Sequence, residues 1–69
     1  MTSEIKKFGK RVKDLRLHAD LSQEQLSEKW GVSREYVSLV ERGQRYPNLK
    51  KVFQLAHILN VKIPELFKF

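Results

Sequence analysis

Hydrophobic residues recur at steps of three and four along the first part of the chain. They are Ile5, Phe8, Val12, Leu15 and Ala19, and most of the residues between them are charged. An α-helix turns once about every 3.6 residues, so this spacing places the apolar side chains on one face. The pattern predicts a first helix that packs its apolar face on a core and turns most of its lysines toward solvent.

A dense helix-start signal follows. Ser22 and Gln25 have the spacing of a capping box, in which each side chain bonds the other residue's backbone N–H. The second helix would then run to Trp30 and stop at Gly31, a residue type that accepts the left-handed conformation at a helix end. Ser33 repeats the capping signal and predicts a third helix directly after the turn.

Two short helices joined by a tight, glycine-containing turn are typical of a helix-turn-helix, here over about residues 22–43. In the third helix, predicted over residues 34–42, Val37 and Val40 face inward together with the ring of Tyr36. The outward face carries Arg34, Glu35, Ser38, Leu39 and Arg42. A core does not need these side chains, so we expect this face to bind a partner.

The rest of the chain predicts two further helices, over about residues 48–69. Asn48 caps the fourth helix, whose apolar residues again keep helical spacing. These residues are Leu49, Val52, Leu55, Ala56 and Leu59. Pro64 fits only the first turn of a brief fifth helix, in which Leu66 and Phe67 suit the core. No segment alternates with a period of two, so the predicted fold is all-α with five helices.

The small size and the residue types limit what the chain can do. Its 69 residues predict one domain, residues 1–69, which buries only about 60% of the surface of the unfolded chain. It has no cysteine, and His18 and His57 are far apart in sequence, so we expect no metal and no cofactor. No glycine-rich phosphate loop and no nucleophile beside a base are visible, so we do not expect an enzyme. Oligomerisation is a common way to stabilise so small a chain.

The charge of the chain points to a polyanion as partner. Lysine and arginine number 14 against 8 acidic residues, which gives a net charge of +6. Nucleic acid and an anionic membrane surface both fit this charge. Membrane-surface binding is disfavoured because the apolar face of the first helix is needed for the core. No apolar run is long enough for a membrane span or a signal peptide, so we expect a cytoplasmic protein.

Three motifs occur together: LSQEQL at 21–26, GVSREYVS at 31–38 and ERGQRYP at 41–47. They resemble the helix-turn-helix of the lambda-repressor-like family, also called the XRE family. The resemblance continues through LKKVFQLAHILNVKIPELF and covers nearly the whole chain from Phe8 onward. It implies a five-helix, lambda-repressor-like DNA-binding domain that regulates transcription. The stretch YVSLVERGQRYP is also similar to controller proteins of restriction–modification systems, although phage regulators look much the same.

In this family the third helix lies in the DNA major groove, with residues near its start at the base edges. The resemblance therefore implies that Arg34, Glu35, Ser38 and Leu39 read bases. Arg34 suits guanine O6 and N7, and its alternative role is a phosphate contact. Glu35 would accept from cytosine N4 or orient Arg34. Leu39 would meet a thymine methyl group or be an ordinary exposed leucine, and Ser38 would bond a base or a phosphate.

The resemblance also implies phosphate contacts on both sides of the recognition helix. Gln23 matches the family's glutamine that binds a DNA phosphate and braces the recognition helix. A second set follows the third helix: Arg42, Gln44 and Arg45 with the backbone of Gly43 and Tyr46. The alternative for this second set is a solvated turn. Arg16 and Glu41 match positions that form a largely buried ion pair in several family members, which would fix the first helix against the third.

Ile63 and Phe69 are the candidates for a two-fold interface between two copies. A disordered tail is the alternative for Phe69. Dimerisation would place two recognition helices about 34 Å apart on a palindromic operator in double-stranded DNA. We expect no small-molecule effector, because so small a chain has no ligand domain to sense one. Regulation of its own operon is one hypothesis. The alternatives are an antitoxin with a toxin partner and a protein-docking module that has lost specific DNA binding, although a docking module would be expected to lose the basic residues that this chain keeps.

Overall fold

The computed structural model describes residues 2–69, and every regular element within them is helical. The helices are α1 (Thr2–His18), α2 (Gln23–Trp30), α3 (Arg34–Glu41), α4 (Leu49–Ile58) and α5 (Ile63–Leu66). The predicted all-α fold of five helices is confirmed. None of the helices in this part of the chain is long and apolar enough to cross a membrane. Met1, which belongs to the predicted domain, lies outside the described residues.

The capping residues place the helix-turn-helix as predicted. The Ser22 hydroxyl accepts from the Gln25 backbone N–H at 3.0 Å, and the Gln25 side chain accepts from the Ser22 N–H at 2.8 Å. Gly31 ends α2 with a left-handed φ of 73°. The Ser33 hydroxyl then accepts from the Tyr36 N–H at 3.0 Å and starts α3. These local bonds satisfy backbone donors that a helix start would otherwise leave open.

One hydrophobic core receives side chains from all five helices. Its fully buried members include Val12, Leu26, Val37, Val40, Leu55 and Leu66. Trp30 also belongs to this core, because it is only 3% exposed. Its indole N–H donates to the Lys51 carbonyl at 3.0 Å. This bond satisfies the polar atom of a buried ring and connects α2 to α4.

Four apolar residues that the sequence pattern assigns to the core lie outside it. Ile5 is half-buried and lines a surface groove instead. Ala19 is exposed because α1 ends before it. Leu49 is 67% exposed at the first position of α4. Phe67 is 49% exposed because α5 ends at Leu66, which takes the buried position. The ring of Phe67 instead stacks on Phe8, with centroids 5.3 Å apart.

The backbone of α1 meets the end of α3 at Gly9, which is buried. A Cβ atom on Gly9 would lie 2.3 Å from the Val40 carbonyl oxygen and 2.7 Å from the Glu41 carbonyl oxygen. These distances are shorter than Cβ contacts in real structures, so any side chain at this position would force the helices apart. The absence of a side chain at Gly9 therefore sets how closely α1 and α3 approach.

We expect Gly9→Ala to lower the free energy of unfolding by about 1–3 kcal/mol, because the added methyl group overpacks the contact between α1 and α3. In an unhindered helix interior, the same replacement would instead stabilise by roughly 0.5–1 kcal/mol. Urea denaturation followed by circular dichroism measures the sign and the size of the change.

Lys10→Ala is the matched control, since Lys10 is the exposed neighbour of Gly9 on the same helix. Its free energy of unfolding should stay within about 0.5 kcal/mol of the unaltered chain. A Gly9→Ala variant at least as stable as the unaltered chain would show that the two backbones have room to separate.

Candidate nucleic-acid interface

The two faces of α3 differ in chemistry. Val37 and Val40 face inward and are fully buried. The outward face carries the exposed Arg34, Glu35 and Arg42 and the half-buried Ser38 and Leu39. The helical period thus brings the four candidate base-reading residues to one side of α3. They are Arg34, Glu35, Ser38 and Leu39. Leu39 is more covered by its neighbours than a free surface leucine.

The segment after α3 is an exposed, basic turn. The third helix was predicted to include Arg42, but α3 ends at Glu41 and Arg42 is its C-terminal cap. Gly43 has a φ of 73°, and the Gln44 N–H donates back to the Leu39 carbonyl at 2.9 Å. All four predicted phosphate-binding residues of the turn are exposed: Arg42, Gln44, Arg45 and Tyr46. The turn therefore presents its cations around the C-terminal end of α3.

A stack of side chains connects this turn to α3. The Arg45 guanidinium carbon lies 5.4 Å from the centre of the Tyr36 ring. The Tyr36 ring in turn meets Trp30 edge-on, with centroids 5.5 Å apart. A cation is attracted to the face of an aromatic ring, so this contact holds Arg45 beside α3. The sequence pattern gave Tyr36 only a core role, because the contact depends on the path of the turn.

Gln23 is the first residue of α2 and is half-buried. Its side-chain Nε2 donates to Glu41 Oε1 at 3.0 Å. The first backbone N–H groups of a helix have no partner within the helix, so the start of α2 can donate to an anion such as a phosphate. Gln23 thus connects the start of α2 to the end of α3.

Arg16 and Glu41 form a two-pronged ion pair between α1 and α3. Arg16 Nε lies 2.6 Å from Glu41 Oε2, and Arg16 Nη2 lies 3.1 Å from Glu41 Oε1. The two side chains are only 7% and 3% exposed. Arg16 Nη1 donates to the Leu21 carbonyl at 2.7 Å. Within residues 2–69, no buried side-chain nitrogen or oxygen lacks a hydrogen-bond partner.

The two candidate dimer residues lie in different surroundings. Ile63 is half-buried and packs against the hydrophobic core. Phe69 is 54% exposed and lines an apolar groove of about 420 Å³. Other apolar residues of this groove are Ile5, Phe8, Tyr46, Leu49 and Phe67. The groove is therefore formed by α1, the start of α4 and the C-terminus, and Ile63 does not line it.

The surface around α3 offers mainly hydrogen-bond donors and positive charge. Arginine and glutamine side chains surround the outward face of α3, which has a single carboxylate, that of Glu35. Such a surface matches the regularly spaced phosphates of a nucleic acid, with a few side chains left to contact bases. In residues 2–69, no group of three or more histidine, cysteine, aspartate or glutamate side chains is placed to hold a metal ion.

Comparison with known proteins identifies similar chains. The HTH_3 helix-turn-helix family matches residues 12–66. The restriction–modification controller protein C.AhdI from Aeromonas hydrophila, whose crystal structure is known, is 43% identical in sequence to this chain. The match covers 94% of this chain and 98% of C.AhdI, and the two structures superpose with a TM-score of 0.89. An uncharacterised HTH-type transcriptional regulator of Archaeoglobus fulgidus is 36% identical over 59 residues, which are 86% of this chain and 83% of that protein. Control protein C.SmaI of Serratia marcescens is 40% identical over 59 residues, 86% of this chain and 70% of its own.

We expect Arg16→Met to lower the free energy of unfolding by about 3–5 kcal/mol, because it leaves the buried Glu41 carboxylate without its counter-charge. Exchanging the charges, with Arg16→Glu and Glu41→Arg together, should be more stable than either of these two replacements alone, since the attraction is restored. Chemical denaturation of the variants measures both effects.

Lys68→Met provides a control at an exposed ion pair, where Lys68 and Glu65 are 72% and 41% exposed. This change should cost less than about 1 kcal/mol, because water screens the pair. A charge-exchanged chain no more stable than either single replacement would contradict a direct interaction between Arg16 and Glu41.

Proposed function

The chain belongs to the HTH_3 helix-turn-helix family, and the proteins similar to it include transcriptional regulators. We propose that it regulates transcription by binding a specific sequence in double-stranded DNA. α3 is the recognition helix and lies in the major groove, and the protein acts in the cytoplasm as a homodimer on a palindromic operator. One observation carries this proposal. The outward face of α3 bears side chains suited to base edges and is bordered by donors suited to phosphates.

Arg34 is the principal base reader in this proposal. It is exposed in the first turn of α3, from which its planar guanidinium reaches guanine O6 and N7 together. Glu35, the next residue, accepts from cytosine N4 or holds Arg34 in place. Ser38 and Leu39 lie one turn further along, where a hydroxyl bonds a base or a phosphate and a leucine contacts a thymine methyl group.

Phosphate contacts on both sides of α3 set its position in the groove. Gln23 and the start of α2 bind the DNA backbone on one side. The basic turn after α3 binds it on the other through Arg42, Gln44, Arg45 and the Tyr46 backbone. Each cation that neutralises a phosphate releases counterions, so the affinity falls as the salt concentration rises.

Similarity to two proteins named as control or controller proteins supports a narrower form of the proposal. In this form the chain regulates a small set of genes that includes its own. Two copies bind half-sites about one DNA turn apart and either block or recruit the transcription machinery according to where the operator lies. Phe69 and Ile63 contribute to the interface between the two copies.

We expect selection from a randomised DNA pool at near-physiological salt to retain a two-fold symmetric site, with half-sites about 10 base pairs apart. Arg34→Ala should relax one symmetric base position and weaken binding to the selected site by about 1–3 kcal/mol, because it removes a bidentate base contact. Sequencing of the retained DNA, followed by titration of the selected site, measures both effects.

Lys29→Ala is the control, because it also removes one positive charge. Lys29 is exposed at the opposite end of α2 from Gln23. This variant should select the same DNA sequence as the unaltered chain. If the unaltered chain retains DNA without any sequence preference and only at low salt, the proposed function is wrong.

Phe69→Ser should weaken self-association by at least about tenfold, because a two-fold interface loses a buried phenylalanine from each copy. Analytical ultracentrifugation over a range of concentrations measures this change. Leu17→Ser removes a side chain that is 53% exposed on α1, comparable with the 54% of Phe69, and should leave association unchanged. Equal association of the two variants would remove Phe69 from the interface.

A further inference from the structure

Three helices meet at the carboxylate of Glu41. Its Oε1 accepts from Gln23 Nε2 at 3.0 Å and from Arg16 Nη2 at 3.1 Å. Its Oε2 accepts from Arg16 Nε at 2.6 Å. Because Arg16 lies on α1, Gln23 on α2 and Glu41 on α3, one buried group connects the whole helix-turn-helix to the first helix.

We propose that Glu41 is a positioning residue for DNA binding, which holds the side-chain amide of Gln23 so that an N–H group, and not the amide oxygen, faces a DNA phosphate. This inference rests on the proposed function, because it concerns the phosphate contact assigned to Gln23. Glu41 itself is buried, so in this proposal it acts through Gln23 and not by direct contact with DNA.

The argument follows from which groups donate and which accept. An ionised carboxylate only accepts hydrogen bonds, so the Gln23 amide must turn its nitrogen toward Glu41. That nitrogen carries a second hydrogen, which stays available to another acceptor. A phosphate oxygen also only accepts, and a freely rotating amide would spend part of its time with its oxygen toward the phosphate. Fixing the amide before DNA arrives also lowers the entropy lost on binding.

Arg16 makes this arrangement compatible with DNA. A carboxylate close to a phosphate-binding helix start would repel the phosphate if its charge were not offset. Arg16 offsets the charge through two hydrogen bonds to Glu41, and a third bond to the Leu21 carbonyl holds its guanidinium in place. Glu41 can therefore orient Gln23 while adding little net negative charge near the phosphate.

A double-mutant cycle tests the inference. Replacing the ion pair by Arg16→Met with Glu41→Leu often leaves the stability of a protein unchanged or raises it, because buried charges no longer have to be desolvated. We expect this double variant to fold but to bind the selected operator about tenfold more weakly, the size of one hydrogen bond to a charged group. Gln23→Ala should weaken the unaltered chain by about tenfold as well. In the double variant it should change the affinity by less than about twofold, because the amide is no longer held.

Gln54→Ala is the control, since Gln54 is an exposed glutamine on α4. It should leave the affinity unchanged in both backgrounds. Equal losses on Gln23→Ala in the two backgrounds would overturn the inference. Failure of the proposed function is seen separately, as the lack of sequence-specific binding by the unaltered chain.

A second measurement needs neither DNA nor a substitution. In the nuclear magnetic resonance spectrum of the unaltered chain, one side-chain amide proton of Gln23 should exchange with water more slowly than the amide protons of Gln54. The reason is that this proton lies in the hydrogen bond to Glu41. Gln23 amide protons that exchange as fast as those of Gln54 would overturn the inference, whether or not the double variant folds.

Discussion

The placement of α3 depends on one buried pair of charges, Arg16 and Glu41. A carboxylate removed from water costs several kcal/mol unless it is paired and hydrogen-bonded, so α1 and α3 must sit where the guanidinium reaches both oxygens. Gly9 lies two turns before Arg16 on the same side of α1 and lets the backbones touch. The close approach and the ion pair lie on the same side of α1, and both hold α3 against it.

Local signals in the sequence predict most of the fold. Ser22, Gly31 and Ser33 act through bonds to residues only a few positions away, so their spacing in the sequence is enough to predict these helix ends. Helix ends are less predictable, because Leu49 and Phe67 keep the helical spacing yet lie where a helix has just begun or has already ended. Their exposure depends on how the chain enters and leaves the core.

The candidate site was predictable in a different way. The helical period of α3 alone indicates which side chains face outward, whereas the pairing of Arg16 with Glu41 came from the resemblance to a known family. The contact of Arg45 with Tyr36 and the close approach at Gly9 were not predicted. Both join residues that are distant along the chain or separated by an irregular turn, and no spacing rule reports such distances.

The division of α3 into two faces bears on how such proteins diverge. Substitutions on the buried face, at Val37 or Val40, would disturb packing and are constrained by stability. Substitutions at exposed positions such as Arg34 and Glu35 remove little packing, so their folding cost is small. If these side chains read bases as proposed, a lineage can exchange them and acquire a new DNA target while it keeps the same scaffold. Closely similar folds can thus serve unrelated operators, and a shared fold does not by itself reveal the target sequence.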